Sequence, residues 1–189
     1  MLRNSLTFVI ICLMYISCFS QTPSLVDYDA YEKIVLEVKK HRAERLISTD
    51  EFVEMSKMDN VVILDTRSKA MYIAKHIKGA IHLNFSDFTQ DNLEALFPSR
   101  DVTILIYCNN NFADDPKFFA TKEYVVPELL ESKDDYSKSP MSAVTMALNI
   151  PTYINLYGYG YKNVYELSEL ISVFDSRIKF EGTAVVLPR

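Results

Sequence analysis

Thr103-Ile104-Leu105-Ile106-Tyr107-Cys108-Asn109-Asn110-Asn111-Phe112 is the stretch on which the fold turns. A short continuous apolar run of this kind predicts a strand covered on both faces, as in parallel sheets. The run ends at Cys108 and passes into three asparagines. Asn tolerates positive φ and brings amide groups of its own, so it suits a tight loop. Open α/β sheets carry their chemistry beyond the carboxyl ends of such strands, which makes Cys108 the candidate reactive residue. The plainer alternatives are a buried structural cysteine and an ordinary solvated turn.

Working outward, Val61-Val62-Ile63-Leu64 is a second such run, with Asp65-Thr66-Arg67 at its carboxyl end. Asn163-Val164-Tyr165-Glu166-Leu167 is a third, and Leu46-Ile47 and Ile81-His82-Leu83 are shorter extended pieces, the latter after a Gly79-Ala80 turn. Helical segments fall between them. One runs to Met58 from a Ser48 or Thr49 cap, with Asp50 and Glu51 in its first turn. Others cover Ser68 to His76 and Thr89 or Asp91 to Phe97, stopped by Pro98. Ser142 to Leu148, Pro151 to Tyr157 and Glu169 to Phe174 also read as helical, with Gly158 and Gly160 as stop signals. Residues 24–41 carry Leu25, Tyr28, Tyr31, Ile34, Val35 and Val38 at helical spacing, a stripe read as core. Alternating strands and helices predict an α/β fold with a mainly parallel sheet.

Residues 113–141 depart from this pattern, being charged and interrupted by Pro116, Pro127 and Pro140. They read as an insertion with one short helix around Pro127 to Ser132, serving as a lid or as a solvated excursion.

Residues 1–20 read as a secretory signal, with Arg3 the one charge and an apolar stretch from Leu6 to Phe19. That stretch is short of the roughly 20 residues that span a bilayer. Cleavage after Ser20 is the favoured reading, and lipid attachment at Cys18 the alternative. Residues 21–43 then form an N-terminal helical extension and residues 44–189 the domain. The location is secreted or periplasmic, with no membrane contact unless Cys18 is lipidated. Loss of Arg3 leaves 19 basic residues against 25 acidic, a net charge of −6. That balance argues against nucleic acid and anionic membrane surfaces as partners. Cys12 and Cys18 lie in the leader, so the cleaved chain keeps one thiol and forms no internal disulfide. A lone thiol outside the cytoplasm is exposed to oxidants unless buried or used.

Three pieces together are similar to the rhodanese-like domain family. They are Val61 through Arg67 followed by Tyr72 and His76-Ile77-Lys78-Gly79-Ala80-Ile81, then Ile104 through Cys108, then Leu156 and Gly160-Tyr161-Lys162-Asn163-Val164-Tyr165-Glu166-Leu167. Order and spacing match over roughly residues 44–175, the insertion apart. The resemblance implies one rhodanese-like domain with a five-stranded, mainly parallel sheet flanked by helices. It implies a loop cysteine, here Cys108, that accepts a sulfane sulfur as a persulfide and hands it to cyanide or a thiol. Asn109, Asn110, Asn111, Phe112, Ala113 and Lys122 become the candidate substrate-binding residues, while Asp65, Arg67 and His76 organise the structure near the site. No metal and no organic cofactor is implied. The partners implied are a small sulfur-containing anion or a thiol acceptor, with a protein partner through residues 113–141 as a further expectation.

In physical terms, loop N–H groups converging on one centre favour an anion, lower a thiol's pKa and hold an anionic donor. Thiosulfate-using members carry a basic residue five positions after the cysteine, where this chain has Ala113, followed by Asp114 and Asp115. Two carboxylates at the pocket mouth would repel a dianion by roughly 1 to 4 kcal/mol at about 4 Å, so efficient thiosulfate:cyanide turnover is not expected. Lys117 or Lys122 could supply the missing cation. Phosphatases on this fold need an Arg six residues after the cysteine, and Asp114 stands there. His76 reads as a hydrogen-bonded structural residue, His41 as surface, and the tyrosines from Tyr153 to Tyr165 as packing. The alternatives to a sulfurtransferase are an inert binding module and a thiol redox sensor.

Overall fold

The computed structural model describes residues 24–125 and 143–185. The leader, Cys12, Cys18 and the helix expected around Pro127 lie outside the described residues. The element order is α1 (Tyr28–Ala43), β1 (Leu46–Ile47), α2 (Thr49–Met55), β2 (Val61–Asp65), α3 (Lys69–Ala74), β3 (His76–Ile77), β4 (Ile81–His82) and α4 (Gln90–Leu96). Then come β5 (Thr103–Tyr107), a 3-10 turn (Asn109–Asn111), β6 (Phe112–Ala113), β7 (Glu123–Val125) and β8 (Ala143–Thr145). The chain continues through α5 (Asn149–Gly158), β9 (Val164–Leu167), β10 (Ile171–Ser172) and β11 (Phe180–Glu181).

Five strands form one sheet in the order β1-β9-β5-β2-β4, with every pairing parallel. The cysteine-bearing strand β5 is central. Its alternation sorts the core into two layers. Ile104 and Ile106 face Val38 of α1, Leu93 of α4, and Tyr153 and Leu156 of α5. Leu105 and Tyr107 face Phe52 of α2 together with Phe112, Phe119 and Ile171. Ile104, Leu105, Ile106 and Tyr107 are all fully buried. Each aliphatic side chain so buried contributes about 1.5–3 kcal/mol of transfer free energy, which is why a strand this short holds its register.

The helix starts follow local hydrogen bonding. Ser48 caps α2 and shares a capping box with Glu51, while Ser68 caps α3 and Thr89 caps α4.

Several sequence expectations are corrected. Residues 143–145, read as part of a helix, form β8 antiparallel to β7. Residues 171–172, also read as helical, form β10 parallel to β6. Ladders of two or three residues leave no periodicity to read. Because Phe112-Ala113 pairs with Ile171-Ser172 and Phe119 is buried, the chain stays with the domain body well past residue 113. The excursion itself leaves through β7 and returns through β8. The apolar stripe of α1 is core only in its second half. Val38 is buried and Ile34 and Val35 half-buried, whereas Leu25, Tyr28 and Tyr31 are exposed. His41 is half-buried rather than surface, with Nδ1 2.9 Å from the Tyr153 hydroxyl.

Candidate active site

The carboxyl ends of β2 and β5 lie side by side, Asp65 opposite Tyr107. Asp65 and Arg67 are both buried, and the guanidinium forks onto the carboxylate, Nη2 to Oδ2 at 2.7 Å and Nε to Oδ1 at 3.0 Å. The remaining Arg67 donors reach the Lys75 carbonyl at 2.7 Å and the Phe118 carbonyl at 3.0 Å. Tyr107 donates its hydroxyl to Asp65 Oδ2 at 2.6 Å and accepts the Ile77 N–H at 3.2 Å. Burial first, then the neighbouring Asp65 carboxylate, holds the Tyr107 hydroxyl well above its ordinary pKa. Burial opposes the Arg67 charge, but Asp65 outweighs it and Arg67's pKa is raised. This network ties β2, β5, α3 and the segment after Ala113 into one floor.

His76 lies in the same floor. Its Nδ1 is 2.6 Å from the Tyr72 carbonyl, its Nε2 is 3.2 Å from Glu181, and its ring stacks on Tyr72. His82 Nε2 meets the Arg67 carbonyl at 2.8 Å. Among the described residues no group of three or more His, Cys, Asp or Glu stands together as a metal site.

Cys108 follows β5 directly and begins the 3-10 turn. It is 2% exposed. Backbone N–H groups of Asn110, Asn149 and Leu148 favour its ionised form. The latter two are the amino-terminal residues of α5, so the thiol is held between a turn and a helix start. An expectation is corrected at this point. Burial raises the thiol's pKa, Glu166 adds to the rise, and the N–H bonds only partly offset it. The loop does supply anion-stabilising donors, but desolvation of the charged form wins.

The candidate substrate residues separate in space. Asn109 and Lys122 line a cavity of about 720 Å³ beside the thiol, along with Arg67 and Lys117. Met71, Phe85, Phe118 and Leu148 give it an apolar wall. Cys108 is not on that wall, although Asn109, its chain neighbour, and Leu148, whose N–H favours its ionised form, both are. Asn110 turns outward to hold the excursion's base, donating to the Lys122 carbonyl and Thr145 Oγ1 at 3.1 Å each. Asn111 is buried and structural, accepting the Cys108 N–H and donating to the Leu167 and Glu169 carbonyls. Phe112 packs on Tyr107, Phe119 and Phe180, and Ala113 pairs with Ser172. Asn111, Phe112 and Ala113 do not line the cavity. The two acidic residues expected at the pocket mouth do not line the cavity. Asp115 is paired with Lys75 at 2.8 Å, and Asp114 adopts a positive φ of 69° in the turn.

Sequence reasoning missed Asn149 and Glu166. Asn149 is buried and donates to Asn111 Oδ1 and to Glu166 Oε1. A glutamate inside the apolar run of β9 was the available signal, since an interior charge needs a partner.

Residues 48–125 match the family model described as the rhodanese-like domain. That span runs from the cap of α2 to β7 and contains Asp65, Arg67, His76 and Cys108. Among solved structures, the BH2092 protein from Bacillus halodurans aligns with 82% of this chain and 88% of its own, at 16% identity and a TM-score of 0.49. No curated protein matches the chain.

Proposed function

From the premise that this chain carries a rhodanese-like domain, we propose that it is a sulfurtransferase that carries sulfane sulfur as a persulfide on Cys108. The observation that supports this most is the place of Cys108 at the end of the central strand, where backbone N–H groups of Asn110, Asn149 and Leu148 favour an ionised sulfur. Such donors stabilise an anionic sulfur without a cation. Lys117, Lys122 and Asn109 on the adjoining cavity wall suit an anionic donor, and the apolar wall suits an organic body attached to it.

The chemistry balances without an electron carrier. The Cys108 thiolate, its proton released to solvent, attacks the donor's sulfane sulfur. The bond to the donor's leaving group breaks, and that group departs with the electron pair. An acceptor thiolate or cyanide then attacks the outer sulfur and Cys108 leaves as thiolate. Because burial raises the thiol's pKa, the first step is slow at neutral pH and quickens as pH rises.

A second reading, a binding module without transfer activity, is favoured by the 2% exposure of Cys108. Its contact surface would be the β7–β8 hairpin, where Tyr124, Val144 and Met146 are exposed beside the Asn110 contacts. Intact mass after incubation with thiosulfate, 3-mercaptopyruvate or polysulfide separates the two. A sulfur-mass gain that cyanide removes, absent in Cys108→Ser, supports transfer. No adduct with any donor rejects it in favour of the module.

A further inference from the structure

Glu166 sits in β9 at the register position of Ile106, two residues before Cys108 on the neighbouring strand. Alternation places Ile104, Ile106 and the following Cys108 on the face covered by α1 and α5, and Glu166 shares that face with Val164. The glutamate is only 6% exposed. A carboxylate so placed needs compensation, and α1 provides it. Arg42 Nε meets Glu166 Oε2 at 2.5 Å and Nη2 meets Oε1 at 2.7 Å, a bidentate pair. Oε1 also accepts from Asn149 Nδ2 at 3.3 Å. That same amide donates to Asn111 Oδ1, which holds the Cys108 N–H. The backbone N–H of Asn149 also favours the ionised sulfur. An unbroken chain of contacts thus joins the N-terminal helix to the cysteine, through Arg42, Glu166, Asn149 and Asn111.

We propose that Arg42 and Glu166 are positioning residues for Cys108, with α1 neutralising the Glu166 carboxylate that Asn149 and Asn111 connect to the Cys108 backbone. The proposal rests on Cys108 being the reacting thiol. Arg42 belongs to the N-terminal helix, ahead of residues 48–125 that match the rhodanese-like domain model, so the helical extension reaches the site through Glu166 of β9. Glu166 is the charged group acting on Cys108 from β9, and the turn and α5 present N–H groups to it. Around Glu166 the other polar groups are Asn149, Arg45 and the Tyr153 hydroxyl, which feels Arg45, Glu166 and Arg42 together. Glu166 disfavours the thiolate, so exposing its charge suppresses ionisation and removing its charge promotes it.

The test is the rate of Cys108 carbamidomethylation against pH in the full chain, read at the Cys108 peptide by mass spectrometry. Arg42→Met should lower the rate at pH 8 by about tenfold, equivalent to a rise of about one pH unit in the ionisation midpoint. Glu166→Gln should raise it, the double variant should be faster than Arg42→Met alone, and Arg42→Lys should stay near the parent. A merely structural pair would not produce opposite shifts in the two single variants. Unchanged profiles in folded Arg42→Met and Glu166→Gln would overturn the proposal. If Arg42→Met does not fold, Glu166→Gln decides alone, because Gln keeps the oxygen that Asn149 needs. A persulfide without these shifts rejects the control and keeps the transfer, whereas shifts without any persulfide do the reverse.

Discussion

Asn111 closes the chain back onto Cys108, three residues earlier. Its Oδ1 accepts the Cys108 N–H at 2.9 Å while its Nδ2 donates to the Leu167 carbonyl at 2.7 Å. One buried amide therefore fixes the thiol's backbone and ties the turn to β9.

Asn111→Ala leaves the Cys108 N–H and the Leu167 carbonyl without their partner, both in buried surroundings. Unsatisfied buried groups cost about 1–3 kcal/mol each, so a loss of about 2–4 kcal/mol is expected in urea unfolding. A change below about 1 kcal/mol would mean that water replaces the amide.

Asp65→Ala strands the Arg67 guanidinium, 3% exposed, and removes the acceptor of the Tyr107 hydroxyl. Breaking a buried pair from one side costs about 3–5 kcal/mol. Asp65→Ala combined with Arg67→Met should be less destabilised than Asp65→Ala alone, a comparison that chemical denaturation makes directly.

The raised pKa of Cys108 has a consequence for alkaline stability. Between the unfolded thiol pKa, about 8.5, and the higher folded one, the unfolded chain releases the proton and the folded chain keeps it. Unfolding is then favoured as pH rises. The stability difference between the parent and Cys108→Ala should be fully present below about pH 8 and shrink as pH climbs above it. Urea midpoints that move in parallel up to pH 10 would contradict this.

Asp175 is held down to about 2 by the Arg177 side chain, which bonds both its oxygens, and by the Arg177 backbone N–H. Its contribution is present above the ordinary carboxylate range and is lost as pH falls toward 2. In Arg177→Gln the carboxyl should titrate nearer about 3.9, as followed by carbon NMR of the side chain.

Gly182 has φ +131°, and a Cβ there would come within 2.5 Å of the Ala74 carbonyl oxygen. The following residues bond back to α3 and its end, Thr183 N–H to the Ile73 carbonyl and Ala184 N–H to the Ala74 carbonyl. Gly182→Ala should cost about 1–3 kcal/mol through backbone strain and lower the melting temperature. An unchanged melt would show that this strap is not coupled to global unfolding.

The main sheet was legible because its strands are continuous apolar runs. β2, β5 and β9 each stand out against capped helices whose Ser48, Ser68 and Thr89 side chains close the first turn. The short ladders of β6 with β10 and of β7 with β8 were not, since their partners lie far along the chain and a two- or three-residue strand has no pattern of its own. At the site, Cys108 was read from its place at the end of an apolar run, and Asp65, Arg67 and His76 from the resemblance to rhodanese-like domains. The division of labour among Asn109, Asn110 and Asn111 was not, because three identical residues differ only in what surrounds them.

The amino-acid order alone marked the strands of the main sheet and the capped helices between them, that the sheet is mainly parallel, and that Cys108 stands at the end of one of its strands. Those properties depend on neighbours within a few residues, where apolar periodicity and capping act. Only the tertiary structure decided that Cys108 is buried, that α5 rather than the loop alone supplies its N–H donors, and that Arg42 meets Glu166 across 124 positions. Desolvation and charge pairing depend on what distant segments bring together in space, and no local pattern encodes them.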